Sequence, residues 1–312
     1  MVLRKQVEIV DMMLGDFIVK HKLSLAFVAT ARQWYIPLAE NLKLHHQGAS
    51  KTYYVGMNGC QGSGKSTLAQ FIKGYLQNLY QLNVVVLSLD DFYLSHTQRL
   101  AMAVKIHPLF ATRGVPGTHN MALAKQTLVD LAARDKRIAV PRFNKASDNP
   151  HPQQAWPIID SPVDIVIFEG WCWGVCAQSK EQLRKPVNEL EKNRDEIAVW
   201  RNYVNRKLAS DYQPLYPLMD YWLMLKAPSF EATYAWRAEQ EQKLHLVNRK
   251  TKDTAQKDTR GLMNAQQIHQ FIQYYQRLTE HALLELPASC DQVFALNAQR
   301  EICLPQQESK HD

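Results

Sequence analysis

The chain has 312 residues, 46% of them hydrophobic and 21% charged, which supplies material for a real core and is ordinary for a soluble globular protein. Its formal net charge of +7, from 37 Lys and Arg against 30 Asp and Glu, favours polyanionic ligands only mildly. No basic cluster with interleaved aromatics marks a nucleic-acid surface, and no apolar run approaches membrane-spanning length, so neither partner is expected.

Five cysteines, at positions 60, 172, 176, 290 and 303, form no metal or disulfide framework and point to a reducing compartment. The opening residues Met1 to Gln6 lead into a charged segment without the apolar core of a signal peptide. The expected location is the cytoplasm.

Residues 1 to about 50 read as helical, with apolar positions Val7, Val10, Met13, Phe17, Leu25, Phe27, Trp34 and Leu38. They are expected to form a cap on a sheet, with no chemistry of their own. Thr52 to Met57, β-branched and aromatic, reads as a strand. Gly59-Cys60-Gln61-Gly62-Ser63-Gly64-Lys65-Ser66 then fits G-x-x-x-x-G-K-[ST], with Thr67 extending it. Glycines let consecutive N–H groups turn inward on phosphate oxygens, and the following helix aims its positive end at the same anion. Lys65 reaches the β- and γ-phosphates of ATP, and the Ser66 hydroxyl can ligate Mg²⁺. Apolar residues at 68, 71, 72, 75 and 76 make Ser66 to Leu76 a helix. Strand, glycine loop and helix together are the context the motif demands.

Asn83 to Leu89 is a second buried strand, ending in Asp90-Asp91-Phe92-Tyr93. A turn-rich stretch, His107 to His119, precedes a helix from about Met121 to Arg134 and a loop, Pro141 to Lys145. Pro162 to Gly170 is a third strand with Glu169 at its end. A charged helical insertion covers about 178–210, its charges read as a solvated face. Met219 to Leu225 and Asp291 to Leu296 are the remaining strands, separated by a basic helical region from Phe230 to about Leu284. Alternating strands and helices predict an α/β fold of one domain, an open parallel sheet covered on both faces.

In such a sheet ligands sit beyond the carboxyl ends of the strands. An acid there is often only a cap or turn former, but two strands delivering acids beside a phosphate loop favours function. Glu169 reads as the acid that holds Mg²⁺, directly or through water. Asp90 reads as the base that takes the proton of an attacking hydroxyl, and Asp91 as structural. A guanine-reading sequence is excluded: Asn144-Lys145-Ala146-Ser147-Asp148 has one residue too many and precedes the Glu169 strand. Arg113 and Arg142 offer bidentate forks for an acceptor carboxylate, or are solvated loop arginines.

Ser88 to Tyr93, Arg113 to His119, Pro141 to Lys145, Phe168 to Trp171, Tyr234 to Glu241 and Gly261-Leu262-Met263 together resemble the D-glycerate 3-kinase family. That family sits in the wider group of phosphoribulokinase, uridine kinase and pantothenate kinase. The resemblance runs in order over about 50–300 and implies a P-loop NTPase fold with core strand order 2-3-1-4-5. It also implies an ATP-dependent kinase using Asp90 as base, Ser66 and Glu169 on magnesium, and acceptor contacts around Tyr93, Arg113 and His119. Arg237 resembles a lid arginine that neutralises the transferring phosphoryl group, within a lid over about 230–262. Asn144, where the family has Asp, and Asp148 to His151 depart from the pattern, and both loops are expected to line the acceptor pocket. D-glycerate is the first acceptor considered; nucleosides, pantothenate and sugar phosphates are the alternatives, as is a non-catalytic ATP-binding regulator. The expected assembly is a monomer or homodimer.

Overall fold

Five short apolar runs pair side by side into one all-parallel sheet: β1 (Tyr53–Gly59), β2 (Val84–Ser88), β3 (Ile165–Gly170), β4 (Tyr221–Lys226) and β5 (Gln292–Ala295). Their order across the sheet is β2-β3-β1-β4-β5. The computed structural model describes residues 2–49, 51–133, 136–160, 162–239 and 264–303. Every residue of β1 and β3 is buried, as expected for strands covered on both faces. Register then fixes the ligand edge. Ser88 of β2 and Met57 of β1 both lie opposite Glu169 of β3, so three strand ends finish level.

One face is covered by α4 (Lys65–Tyr80), which buries Leu68, Phe71, Ile72, Tyr75 and Leu76. On α4 rests the N-terminal cap: α1 (Val2–His21), α2 (Ala26–Thr30), a π-turn at Ala31–Tyr35, and α3 (Ile36–Gln47). Phe17 of α1 meets Phe71 of α4 edge to face at 5.5 Å, and His45 of α3 stacks near Tyr53 at 6.1 Å. The cap therefore reaches the sheet through α3 and is held off it by α4 at α1. Val7 and Leu25, among the apolar positions of the cap, are solvent-exposed.

The opposite face carries α6 (Met121–Leu131) and a cluster around Phe168, Trp173, Tyr212 and Tyr275. One helix escaped the sequence reading, α5 (His96–Lys105), although Ser95 and Gln98 form a capping box at its start. The loop expected at Pro141 to Lys145 is partly a two-residue ribbon, Phe143–Asn144 against Asn149–Pro150.

The insertion breaks into turns, α7 (Glu189–Arg194), α8 (Val199–Lys207) and a second π-turn at Leu208–Tyr212. Its charges are not all solvated. Arg201 and Asp195 pair in the interior, and Glu191, 1% exposed, accepts Arg277 at 2.6 and 2.7 Å. Arg277 lies on the long helix α10 (Ala265–Glu285). Residues 230–239 are helical (α9); the expected lid beyond them, with Gly261-Leu262-Met263, lies outside the described residues.

A buried carboxylate stripped of its only cation is costly, because the surviving charge has no water. Arg277→Met should therefore lower unfolding stability by about 3–5 kcal/mol in a denaturant titration. A loss below about 1 kcal/mol would mean that the Glu191 pair is not a tie between insertion and core.

Candidate active site

The loop after β1 folds as its glycines require. Gly62 and Gly64 sit at φ +82° and +92°, where side chains are disfavoured. A Cβ on Gly59 would lie 2.6 Å from Ser63 Oγ. The chain passes from that turn directly into α4, whose first residues are Lys65 and Ser66. The level strand ends bring Glu169 to meet them. Ser66 Oγ donates to Glu169 Oε1 at 2.7 Å, and Lys65 Nζ stands 3.9 Å from Oε2. Glu169 is buried, and Oε2 takes no hydrogen bond.

A serine hydroxyl and a buried carboxylate with a spare oxygen form a donor set of the hard, oxygen type that Mg²⁺ takes when phosphates complete its shell. Ser66 and Glu169 fit that ion. Among the described residues no cluster of three or more His, Cys, Asp or Glu could hold a metal without such help.

Beyond β2 the chain enters a 3₁₀ turn, Leu89–Phe92, capped by Ser88. Asp91 closes the reciprocal cap by accepting the Ser88 N–H at 3.1 Å, and it also accepts Arg142 at 3.2 Å. Burial pushes the Asp91 carboxyl up, more than Arg142 and the Ser88 amide pull it down. Asp90 points the other way and accepts Lys145 Nζ at 2.6 Å. Burial pushes its carboxyl up too, but Lys145 and Lys65 outweigh burial and hold it below the usual value. Two neighbouring acids thus have opposite shifts, Asp90 lowered by two lysines and Asp91 raised by burial against the pull of Arg142.

Lys65, Ser66, Asp90, Asp91, Arg142, Lys145, Glu169 and Arg237 line one cleft of about 980 Å³, joined by Arg300 after β5 and Lys22, Leu23, Phe27 and Tyr35 of the cap. Gln61, Gly62, Ser63, Gly64 and Thr67 of the loop line it as well, whereas Gly59 ends β1 and Cys60 is buried beneath. The Arg237 guanidinium lies 5.7 Å from the Phe271 ring centroid.

Arg113 is placed differently. It is ion-paired with Asp148, which also binds Arg99, and does not line the cleft. One nitrogen of its fork is taken up by an aspartate from the very loop that departs from the family pattern, both side chains half-buried. Asn144 is likewise a turn former, its Oδ1 accepting the N–H groups of Ala146 and Ser147 at 3.0 and 3.2 Å. Neither Asn144 nor Asp148 lines the cleft, although Arg142 and Lys145 of the first loop do.

His119 and Tyr93 stack at 4.3 Å behind Asp90, both buried. Burial pushes the Tyr93 phenol well above its ordinary value, and Asp90 adds to the rise. The Tyr212 hydroxyl accepts the Gly117 N–H at 3.3 Å and lies 2.6 Å from His119 Nδ1. Its own hydrogen is left to donate to Nδ1, so the neutral imidazole carries its proton on Nε2. Nε2 is buried and unbonded. Burial pushes His119 down to about 3 against the opposing pull of Asp90, so the ring offers a neutral donor and no positive charge. The sequence carries signals for Lys145, inside the Pro-Arg-Phe-Asn-Lys stretch, but none for Arg300 or the cap residues.

Nitrogen-15 NMR of the native protein should find His119 neutral, protonated on Nε2, and untitrated from about pH 8 to pH 5. A midpoint near the ordinary 6.5 would contradict the buried tautomer.

No family model matches the chain. It is 32% identical over 209 residues to an uncharacterized kinase of Schizosaccharomyces pombe (mug58), covering 62% of this chain and 72% of that one. It is 26% identical to the chloroplastic D-glycerate 3-kinase of Arabidopsis thaliana, over 70% of this chain and half of that one. A probable ATP-dependent kinase of Saccharomyces cerevisiae (TDA10) is 27% identical over 71% of this chain and 74% of its own. Among solved structures, D-glycerate 3-kinase from Cryptococcus neoformans shares the fold with a TM-score of 0.70 at 24% identity, covering 88% of this chain and 98% of that one. The chain belongs to the glycerate kinase-like P-loop kinases, a group of ATP-dependent phosphotransferases that act on alcohols.

Proposed function

We propose that the protein transfers the γ-phosphoryl group of ATP to a hydroxyl of a small anionic hydroxy acid, D-glycerate first. The observation that carries this reading is the convergence of Lys65, Ser66, Asp90 and Glu169 in one cleft, with Arg142 and Lys145 on the Asp90 side. The name of the Arabidopsis relative supports the choice of acceptor.

The loop N–H groups and Lys65 hold the triphosphate, and the charge that grows on its β- and γ-oxygens meets the Lys65 ammonium. Ser66 and Glu169 would hold magnesium, which would supply further neutralisation of phosphate charge. The Arg142 fork and the Lys145 ammonium receive the acceptor carboxylate, the role that Arg113, tied to Asp148, does not fill. As Lys145 turns to the carboxylate, Asp90 loses the strongest of the cations that depress its pKa and becomes a better base. The acceptor hydroxyl gives its proton to Asp90 while its oxygen bonds to the γ-phosphorus. The bond from that phosphorus to the β–γ bridging oxygen breaks, and ADP leaves with the electron pair. Arg237 offsets charge on the phosphoryl group in flight.

ATP consumption should be measured across D-glycerate, glycerol, nucleosides and pantothenate. D-glycerate should be turned over at least about tenfold faster than uncharged glycerol, since carboxylate binding orients the reacting hydroxyl. Lys65→Ala should abolish turnover. Consumption with nucleosides or pantothenate but not glycerate would overturn the acceptor, and near-native turnover in Lys65→Ala would overturn the site.

A further inference from the structure

We propose that the N-terminal cap is part of the nucleotide site and supplies the wall on which the base of ATP rests, with Tyr35 as the stacking surface. This rests on the kinase reading above, because it takes the triphosphate to lie along the loop after β1.

The two ends of the cleft differ in chemistry. On the β2–β3 side stand Asp90, Asp91 and Glu169 with Arg142 and Lys145, the groups that deal with an anionic acceptor. The loop after β1 lies at the middle of the sheet order. A nucleotide whose phosphates are held there, and whose γ-phosphate faces Asp90, must extend its nucleoside towards the β4–β5 side. Tyr35 stands on that side. Its ring centroid is 6.4 Å from Phe294 of β5 and 5.8 Å from Phe71 of α4.

The cleft's lining is mostly cationic or polar, and its apolar side chains are few. Leu23, Phe27 and Tyr35 come from the cap, and Val86 comes from the acceptor side. A nucleobase is the flat, apolar part of ATP, and aromatic rings are the surface on which bases stack. Among the described residues, the cap alone provides such a ring to the lining. Tyr35 ends the π-turn at Ala31–Tyr35, a geometry often found where a helix serves a site. Phe27 meets it edge to face at 5.8 Å, so the ring is held in place before any ligand arrives.

The test compares ATP with inorganic tripolyphosphate, which has the phosphates and no base, by calorimetry in the absence of acceptor. Tyr35→Leu keeps apolar volume and removes the ring. It should weaken ATP about tenfold and leave tripolyphosphate within about twofold. Unchanged ATP affinity, or an equal loss for both ligands, would overturn the proposal. A second measurement uses the native protein, so that a variant that folds poorly decides nothing. Hydrogen exchange in residues 22–35 should slow with ATP and not with tripolyphosphate; equal exchange with both would overturn the proposal. Lys65→Ala should weaken both ligands, and its failure to do so would remove the phosphate-loop reading itself.

Discussion

A carboxylate buried beside the glycine turn after β1 is the constraint on which the site depends. Glu169 is 4% exposed, and its near partners are one serine hydroxyl and one ammonium. Desolvating such a charge is expensive unless cations and donors stand close. Lys65 and Ser66 stand close because β1, the glycine turn and α4 follow one another without slack, while β3 pairs with β1 in one register. A slip of one residue would turn Glu169 to the other face of the sheet. The register of the central strands is therefore as much part of the chemistry as the side chains are.

Charge on the acceptor side is arranged by similar means. Asp90 and Asp91 are adjacent in sequence, but the 3₁₀ turn sends one to cap Ser88 and the other into the cleft. The ribbon at Phe143–Asn144 carries Arg142 and Lys145 back over both. The mild excess of positive charge on the whole chain thus has a local counterpart, a cleft lined by Lys22, Lys65, Arg142, Lys145, Arg237 and Arg300 against three carboxylates. Such a surplus of positive charge suits polyanionic ligands.

Much of this was legible in the sequence where one local rule settled the outcome. The five strands announce themselves as apolar runs, the phosphate loop by its glycines, and Asp90 and Glu169 by standing at strand ends. What stayed hidden depends on contacts between distant segments. Arg113 looks like a free fork until Asp148, 35 residues on, is found against it. Glu191 reads as a surface charge until Arg277, 86 residues away, buries it. Helix α5 buries Arg99, which is paired with Asp148 from a distant loop. The cap offered only helical periodicity, which carries no information on which loop residues will face a cleft.

The central claim is that Asp90, and not its neighbour, is the base of a phosphoryl transfer. The most direct measurement is turnover and ATP affinity in Asp90→Asn beside Asp91→Asn. Loss of a general base should cut turnover in Asp90→Asn by about 10²-fold or more with ATP affinity nearly unchanged. Near-native turnover in Asp90→Asn, with Asp91→Asn the damaging change, would contradict the account.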